Sequence, residues 1–363
     1  MLSIAVDCRK INDGGIGTYL RNLLIHWHRA GMPARFFLFG KTADLENLNL
    51  PEDFAEIIAF DYPKYSISEM LAFKTPLLKL KTDLFFTPHY TLPFNIPCPS
   101  IVTIHDLIHL KLPVKFGYLG RTYARSIVGH ACRKSHTILT DSQHSKNDIS
   151  AAFPESSGKV RIVYPGVDMA IFKKYPDDRL SQFRIDKGMP RDFVLYVGAL
   201  KKHKNPKALV EIVNKLKSPM IIASGDRDAY ERHVRAYVDD GELLRLVEVK
   251  DELELALLYN SARVFIFPSL YEGFGLPPLE AMACGTPVVC SNRTSLPEVV
   301  DDAALLFSPD NIPDMLARVE ECWHNGQTRI RLSREGVARA SMFSWEKTAA
   351  DIFGIFQKAV SRW

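Results

Sequence analysis

A repeated alternation of short apolar runs with helical patterns constrains this chain more than anything else in it. Apolar runs fall at residues 2–6, 35–39, 56–60, 83–87, 101–104, 137–140 and 160–163, with helical periods between several of them. The second half repeats the pattern, with runs at 193–197, 220–225, 243–249, 264–268 and 286–290. Strands that alternate with helices form parallel sheets, because each crossover helix must return the chain to the same edge. At 363 residues the chain is long enough for two such domains. The fold class is therefore α/β, with two doubly wound, Rossmann-like domains.

The densest local pattern is residues 264–290. The run Val264-Phe-Ile-Phe-Pro268 reads as a buried strand ending at a proline. Gly273 and Gly275 then permit a tight turn and close approach of backbone to a ligand. Pro277 and Pro278 suit the first turn of a helix, and Gly285 suits its end. Strand, glycine loop and helix N-terminus together make an anion site, since free N–H groups and the helix dipole point at one spot. Two carboxylates bracket it, Glu272 before the loop and Glu280 within the helix. Acids beside an anion site need another purpose, and binding sugar hydroxyls supplies one.

The segment Glu272-Gly-Phe-Gly-Leu-Pro-Pro-Leu-Glu280, continuing Ala-Met-Ala-Cys-Gly285, resembles the signature of the retaining family 4 glycosyltransferases. That resemblance implies the GT-B fold, in which two Rossmann-like domains face a cleft and a C-terminal helix crosses back to the first domain. It also implies metal-independent transfer of a sugar from a nucleotide diphosphate donor with retention of configuration. Gly273, Phe274, Gly275 and Leu276 then belong to the donor site. Glu272 is implied to hold hydroxyls of the sugar, and Glu280 the nucleotide ribose. The expected domains are 1–167, joined by 344–363, for the acceptor, and 168–343 for the nucleotide sugar.

Further residues fit the same frame. Gly14, Gly15 and Gly17 sit between the first strand and the helical run beginning at Thr18. They do not make a G-x-G-x-x-G, and no acidic residue about twenty positions on completes a dinucleotide fingerprint. Family members carry a glycine-rich loop here that faces the donor. His105, in Thr103-Ile-His-Asp106, ends a strand, where polar residues point into the ligand crevice of a parallel sheet; the resemblance places it beside the reacting sugar. Asp106 is expected to orient His105 or its loop. The segment Thr140-Asp-Ser-Gln-His-Ser-Lys146 is a second strand end running into a capped helix start, and it is similar to a family segment. Gly198 follows another strand, and Lys201, Lys202, His203 and Lys204 form a basic knot before a helix, suited to a diphosphate. The common family pattern has an arginine five residues before the lysine that Lys204 matches; Ala199 stands there instead. Lys201 or Lys202 is left to replace it, without arginine's bidentate fork. Asp226-Arg-Asp228 reads as a helix cap and not as a metal motif.

Residues 107–140 contain no acid and carry Lys111, Lys115, Arg121, Arg125, Arg133 and Lys134. Phe116, Leu119, Tyr123 and Ile127 recur at helical steps, with Arg121 and Arg125 on another face. A basic amphipathic helix of this kind either lies on anionic lipid or is a domain helix with a solvated face. The stretch Lys111 to Lys134 is accordingly a candidate membrane surface, which family members acting on lipid-linked acceptors favour. From 310 to 363 the tail reads as helical, with Trp345, Ile352, Ile355 and Phe356 facing a core.

Net charge is +4, and no nucleic-acid motif accompanies it, so no nucleic-acid partner is expected. The six cysteines include no C-x-x-C and read as buried thiols of a reducing compartment. The N-terminal run is a strand and not a signal peptide, and no apolar run spans a bilayer. The expected setting is cytoplasmic. The segments Ile104-His-Asp-Leu107 and 197–205 are similar to those of mannosyltransferases of bacterial surface polysaccharide. The expected donor is GDP-mannose, with UDP-sugars next, and the acceptor a glycan or polyprenyl-linked glycan, with no further cofactor and no metal. A sugar-nucleotide epimerase of the same fold and a non-catalytic sugar-nucleotide binder are the alternatives.

Overall fold

The computed structural model describes residues 1–63, 66–112 and 117–363, which divide into two compact units. One comprises Met1–Gly166 with Trp345–Trp363, the other Val167–Ser344.

The first unit is built on β1 (Leu2–Asp7), β2 (Ala34–Gly40), β3 (Ala55–Ala59), β4 (Leu84–Thr87), β5 (Ser100–Thr103), β6 (Thr137–Thr140) and β7 (Val160–Ile162). All neighbours pair in parallel, in the order β3-β2-β1-β4-β5-β6-β7. These are the seven apolar runs of the sequence, each shifted by a residue or so. β1, β4, β5 and β6 are buried along nearly their whole length because helices cover both faces of the sheet. The chain winds outward from β1 to β3, then returns to the other side of β1 at β4. This reversal leaves a crevice at the carboxyl ends of β1 and β4.

The last helix, Trp345–Val360, completes this unit by packing on the helix Gly14–Arg29. Trp27 is fully buried between them: its ring stacks on Phe36 at 5.2 Å, meets Phe356 at 5.4 Å, and donates from Nε1 to the Ala349 carbonyl at 2.9 Å. Thr348 Oγ1 donates to the Tyr164 carbonyl. The buried stripe is Trp345, Ile352, Phe353 and Phe356; Phe353 takes the place assigned to Ile355, which is only half-buried. The preceding tail is not one helix. Asn325 accepts from Gln327 and Thr328 N–H groups and starts a new helix after Ile312–His324.

The second unit has β8 (Val194–Val197), β9 (Met220–Ala223), β10 (Leu244–Val247), β11 (Val264–Phe267), β12 (Val288–Ser291) and β13 (Leu305–Phe307), in the order β10-β9-β8-β11-β12-β13, again all parallel. β13 has three residues and was not legible as a strand. Here the reversal falls between β8 and β11, so the loops following these two strands share the crevice.

All six cysteines are buried free thiols. Removing the Phe356 ring opens a void between Trp27 and Phe86 in the first unit. Phe356→Ala should cost about 3–5 kcal/mol of that unit's unfolding free energy, read as a lower urea midpoint; an unmoved midpoint would mean that the last helix adds nothing to the core.

Candidate active site

The crevice of the second unit brings Lys204 and Glu272 together. The loop after β8 runs through Gly198 and Ala199 to a single turn, Lys202–Lys204; that after β11 runs from Pro268 to Gly275. The Leu270 N–H donates to the His203 carbonyl at 2.7 Å and ties the two loops. Lys204 Nζ reaches both carboxylate oxygens of Glu272, at 2.6 and 2.9 Å, and sits 5.2 Å from the Phe267 ring centroid. Both side chains are mostly buried. Charge-assisted bonds in so sheltered a place are strong, and losing either partner strands the other charge.

The glycine loop is held from behind. Ser295 Oγ donates to the carbonyls of Glu272 and Phe274, and the Glu272 N–H donates to Thr294 Oγ1. Gly275 has φ +123°, and a Cβ there would lie 2.8 Å from Leu296 Cδ2, so glycine is required twice over. Gly275 caps the helix Leu276–Ala283. Pro277 and Pro278 have no N–H, so the donors of this first turn are those of Gly275 and Leu276.

Glu280 lies one to two turns further on and accepts from the Tyr259 hydroxyl at 3.0 Å. Burial pushes its carboxyl up to about 7, partly offset by that hydrogen bond. Beside the same loops, a groove of about 560 Å³ runs over the carboxyl ends of β8, β9 and β10. Val197, Ala199, Val249 and Leu255 make it apolar, while Ser224 and Glu248 are polar members. Asp226, also at the groove, spends its carboxylate on the Ala229 N–H as a helix cap, as its setting in the sequence indicated. Ala199 contributes its carbonyl to the Tyr196 hydroxyl. Lys201 and Lys202 are exposed, outside the Lys204–Glu272 pair.

The first unit presents its own cluster at the carboxyl ends of its strands. Its glycines do not form a loop ahead of a helix, as expected from the sequence; the helix already begins at Gly14. An added Cβ on Gly17 would collide with the Ile11 carbonyl, so that glycine serves close packing, whereas Gly14 and Gly15 face open space. His105 Nδ1 lies 2.6 Å from Asp141 Oδ2, and Nε2 lies 3.0 Å from the Pro88 carbonyl. Asp106 was expected to orient His105 or its loop; it holds the loop, accepting from the Ile108 N–H. Asp141 orients the histidine instead. A contact across 36 residues leaves no local signal, except that both ends of β5 and β6 were recognisable as polar strand ends.

On the basic helix Gly117–Lys134, Arg121, Arg125, Arg133 and Lys134 are exposed. The expected apolar stripe is not one face: Tyr123 is 47 % exposed while Ile127 is buried. Lys115 and Phe116 lie outside the described residues, as does the side chain of Leu119. Among the described residues no helix is long and apolar enough to cross a membrane.

The raised Glu280 has a measurable consequence. Glutamate in an unfolded chain titrates near 4.3. Between there and about 7 the folded protein binds more protons, so stability falls as pH rises through that window and stays low above it. Glu280→Gln keeps an acceptor for Tyr259 but has no charge to desolvate. Its melting temperature should exceed that of the wild type above about pH 7 and change less between about pH 5 and 8; parallel melting curves for the two proteins would contradict a buried, raised carboxyl.

Two family models match the chain consecutively: "Glycosyltransferase Family 4" over residues 13–171 and "Glycosyl transferases group 1" over 177–339. The chain is 29% identical over 287 residues to O-antigen chain mannosyltransferase B of Escherichia coli, covering 76% of this chain and 74% of that one. The fold is similar to sucrose-phosphate synthase from Thermosynechococcus elongatus, with a TM-score of 0.82, 20% identity and full coverage of both chains. It is also similar to HepE of Anabaena in complex with UDP-glucose, with a TM-score of 0.77 and 18% identity, covering 99% of this chain and 100% of that one. The two parallel-sheet units, the glycine loop between Glu272 and Glu280, and these matches agree: the chain is a glycosyltransferase of family 4, of the GT-B fold.

Proposed function

We propose that the protein transfers mannose from GDP-mannose to a glycan or polyprenyl-linked acceptor, with retention at the anomeric carbon and without a metal ion. The observation that carries this reading is the arrangement around Lys204 in the second unit. A cation paired with the Glu272 carboxylate, a helix start with two backbone N–H groups, and a second carboxylate on that helix all belong to one strand–loop–helix crevice, and an apolar groove lies along the loop after β8.

In this reading the diphosphate takes Lys204 and the N–H groups of Gly275 and Leu276. Glu272, released from Lys204, accepts hydroxyl hydrogens of the sugar. Glu280 accepts from the ribose, and the base lies in the groove. The bond from the anomeric carbon to the diphosphate breaks with both electrons leaving on oxygen, and the cation meets that charge. In this reading Glu272 is occupied by the sugar's hydroxyls, and no other carboxylate is assigned as a nucleophile. The acceptor oxygen therefore attacks from the face that the diphosphate leaves, and its proton passes to the departing phosphate. His105 enters this reading through the family resemblance alone.

Two considerations support guanine and mannose. The Glu248 carboxylate at the groove can accept from the adjacent N1–H and N2–H groups of guanine, whereas uracil offers a single N–H. The E. coli relative is named a mannosyltransferase. HepE, in complex with UDP-glucose, represents the competing donor class. The exposed arginines of the Gly117–Lys134 helix suit an anionic membrane surface near a lipid-linked acceptor.

A thermal-shift panel tests the donor directly. GDP at a hundred times its dissociation constant should stabilise the protein by about 2.7 kcal/mol, with UDP well behind. Preference for UDP would overturn the choice of base, and stabilisation by neither would overturn the reading. Glu248→Gln should narrow the gap between GDP and UDP. Glu272→Ala should lower the rate of transfer by about 10²–10³-fold with little change in nucleotide affinity; equal losses in both would contradict its role on the sugar. Arg121→Gln with Arg125→Gln should reduce sedimentation with anionic vesicles, and undiminished binding would remove the membrane surface from the proposal.

A further inference from the structure

His105 in the first unit has both ring nitrogens against hydrogen-bond acceptors. Nδ1 is 2.6 Å from Asp141 Oδ2, and Nε2 is 3.0 Å from the Pro88 carbonyl oxygen. A neutral imidazole has one N–H and one lone pair, so either tautomer sets a lone pair against one of these oxygens. A carbonyl never donates, which places a hydrogen on Nε2. The other contact then holds a single proton between Nδ1 and Asp141. Histidine near 6.5 is the stronger base of the two, against aspartate near 3.9. Turning the ring over puts carbons at both oxygens and forfeits both bonds. The ring is also fixed in place: Tyr19 packs edge-on at 5.0 Å, and Ser145 Oγ donates to the His105 carbonyl at 2.9 Å.

We propose that Asp141 is a positioning residue that keeps His105 an imidazolium throughout the working pH range, so that the histidine supplies a fixed positive charge and no proton-accepting nitrogen. The surroundings agree. Burial opposes the cation, but Asp141 at the end of β6, Asp106 in the loop after β5 and the Pro88 carbonyl together outweigh it, so the titration moves up from its ordinary value. Tyr19, from the helix Gly14–Arg29, stays a neutral phenol because burial and Asp141 push it up. His89, beyond β4, is held neutral by burial and by Lys10 and His105 nearby, so it adds no second charge. His105 therefore acts on an anion, or on an oxygen becoming one, and not on a hydroxyl proton.

The test uses the full-length protein with ¹⁵N-labelled histidine, its His105 signal assigned by its loss in His105→Gln. Both ring nitrogens should keep the protonated signature at a pH where an ordinary histidine has lost it. A lone-pair nitrogen on His105 at neutral pH would overturn the proposal, whatever reaction the protein catalyses. In Asp141→Asn the signal should titrate near the ordinary value, and in Asp141→Glu, which keeps the charge, it should stay protonated. In sugar transfer, kcat/KM of Asp141→Asn relative to the wild type should fall as pH rises through about 6–7, since the titration of Glu280 is common to both proteins. A variant with the wild-type profile would sink the positioning role. If Asp141→Asn does not fold, the wild-type titration still decides.

Discussion

A parallel strand can be joined to its neighbour only by chain that travels back the full length of the sheet, and every other feature of this protein follows from that requirement. The returning helices cover both faces, which is why most of the strands are continuous apolar runs. The carboxyl ends are then the edge where the loops that leave the strands gather. Where the winding reverses, at β1 and β4 in one unit and at β8 and β11 in the other, two loops diverge and leave a crevice. Lys204 and Glu272 come from the two loops at one reversal, 68 residues apart in the chain. Pro88, at the carboxyl end of β4, holds His105 beside the other.

The second unit shows how little backbone freedom such a site needs. Of the glycines in the two loops of the site, only Gly198 and Gly275 adopt positive φ, a conformation that side chains disfavour, and Ser295 fixes the second loop through two carbonyls. The prolines at 277 and 278 start the helix while removing two of its free donors. An anion site with two N–H groups in place of four is narrower in what it accepts, and the ammonium of Lys204 supplies the remainder.

Local patterns carried most of the fold. Twelve apolar runs marked twelve strands, most of them buried along their length, and the glycine-proline stretch marked its own turn and helix. β13 was missed: at three residues it cannot establish a period, and β7, equally short, was found only within the four-residue run 160–163. The glycines at 14, 15 and 17 were read as a loop from their place between strand and helical run and from the family resemblance; the helix instead begins at Gly14, with Gly17 packed against Ile11. Asp106 was expected to orient His105 or its loop and holds the loop, but the pairing of β5 with β6 that brings Asp141 to the histidine left no local signal. The Lys204–Glu272 pair was equally silent: each residue was singled out, but nothing local says that they hold one another.

That pair also works as a lock with two keys. An inorganic phosphate that approaches Lys204 must pull the ammonium from Glu272 and leave a half-buried carboxylate with no proton donor. A neutral sugar that approaches Glu272 leaves the ammonium stranded in the same way. Only a molecule carrying an anion and hydroxyls at the right separation exchanges both contacts at once. Small anions and free sugars, which the surrounding solution holds in excess, are refused by the same two charges that would hold them jointly.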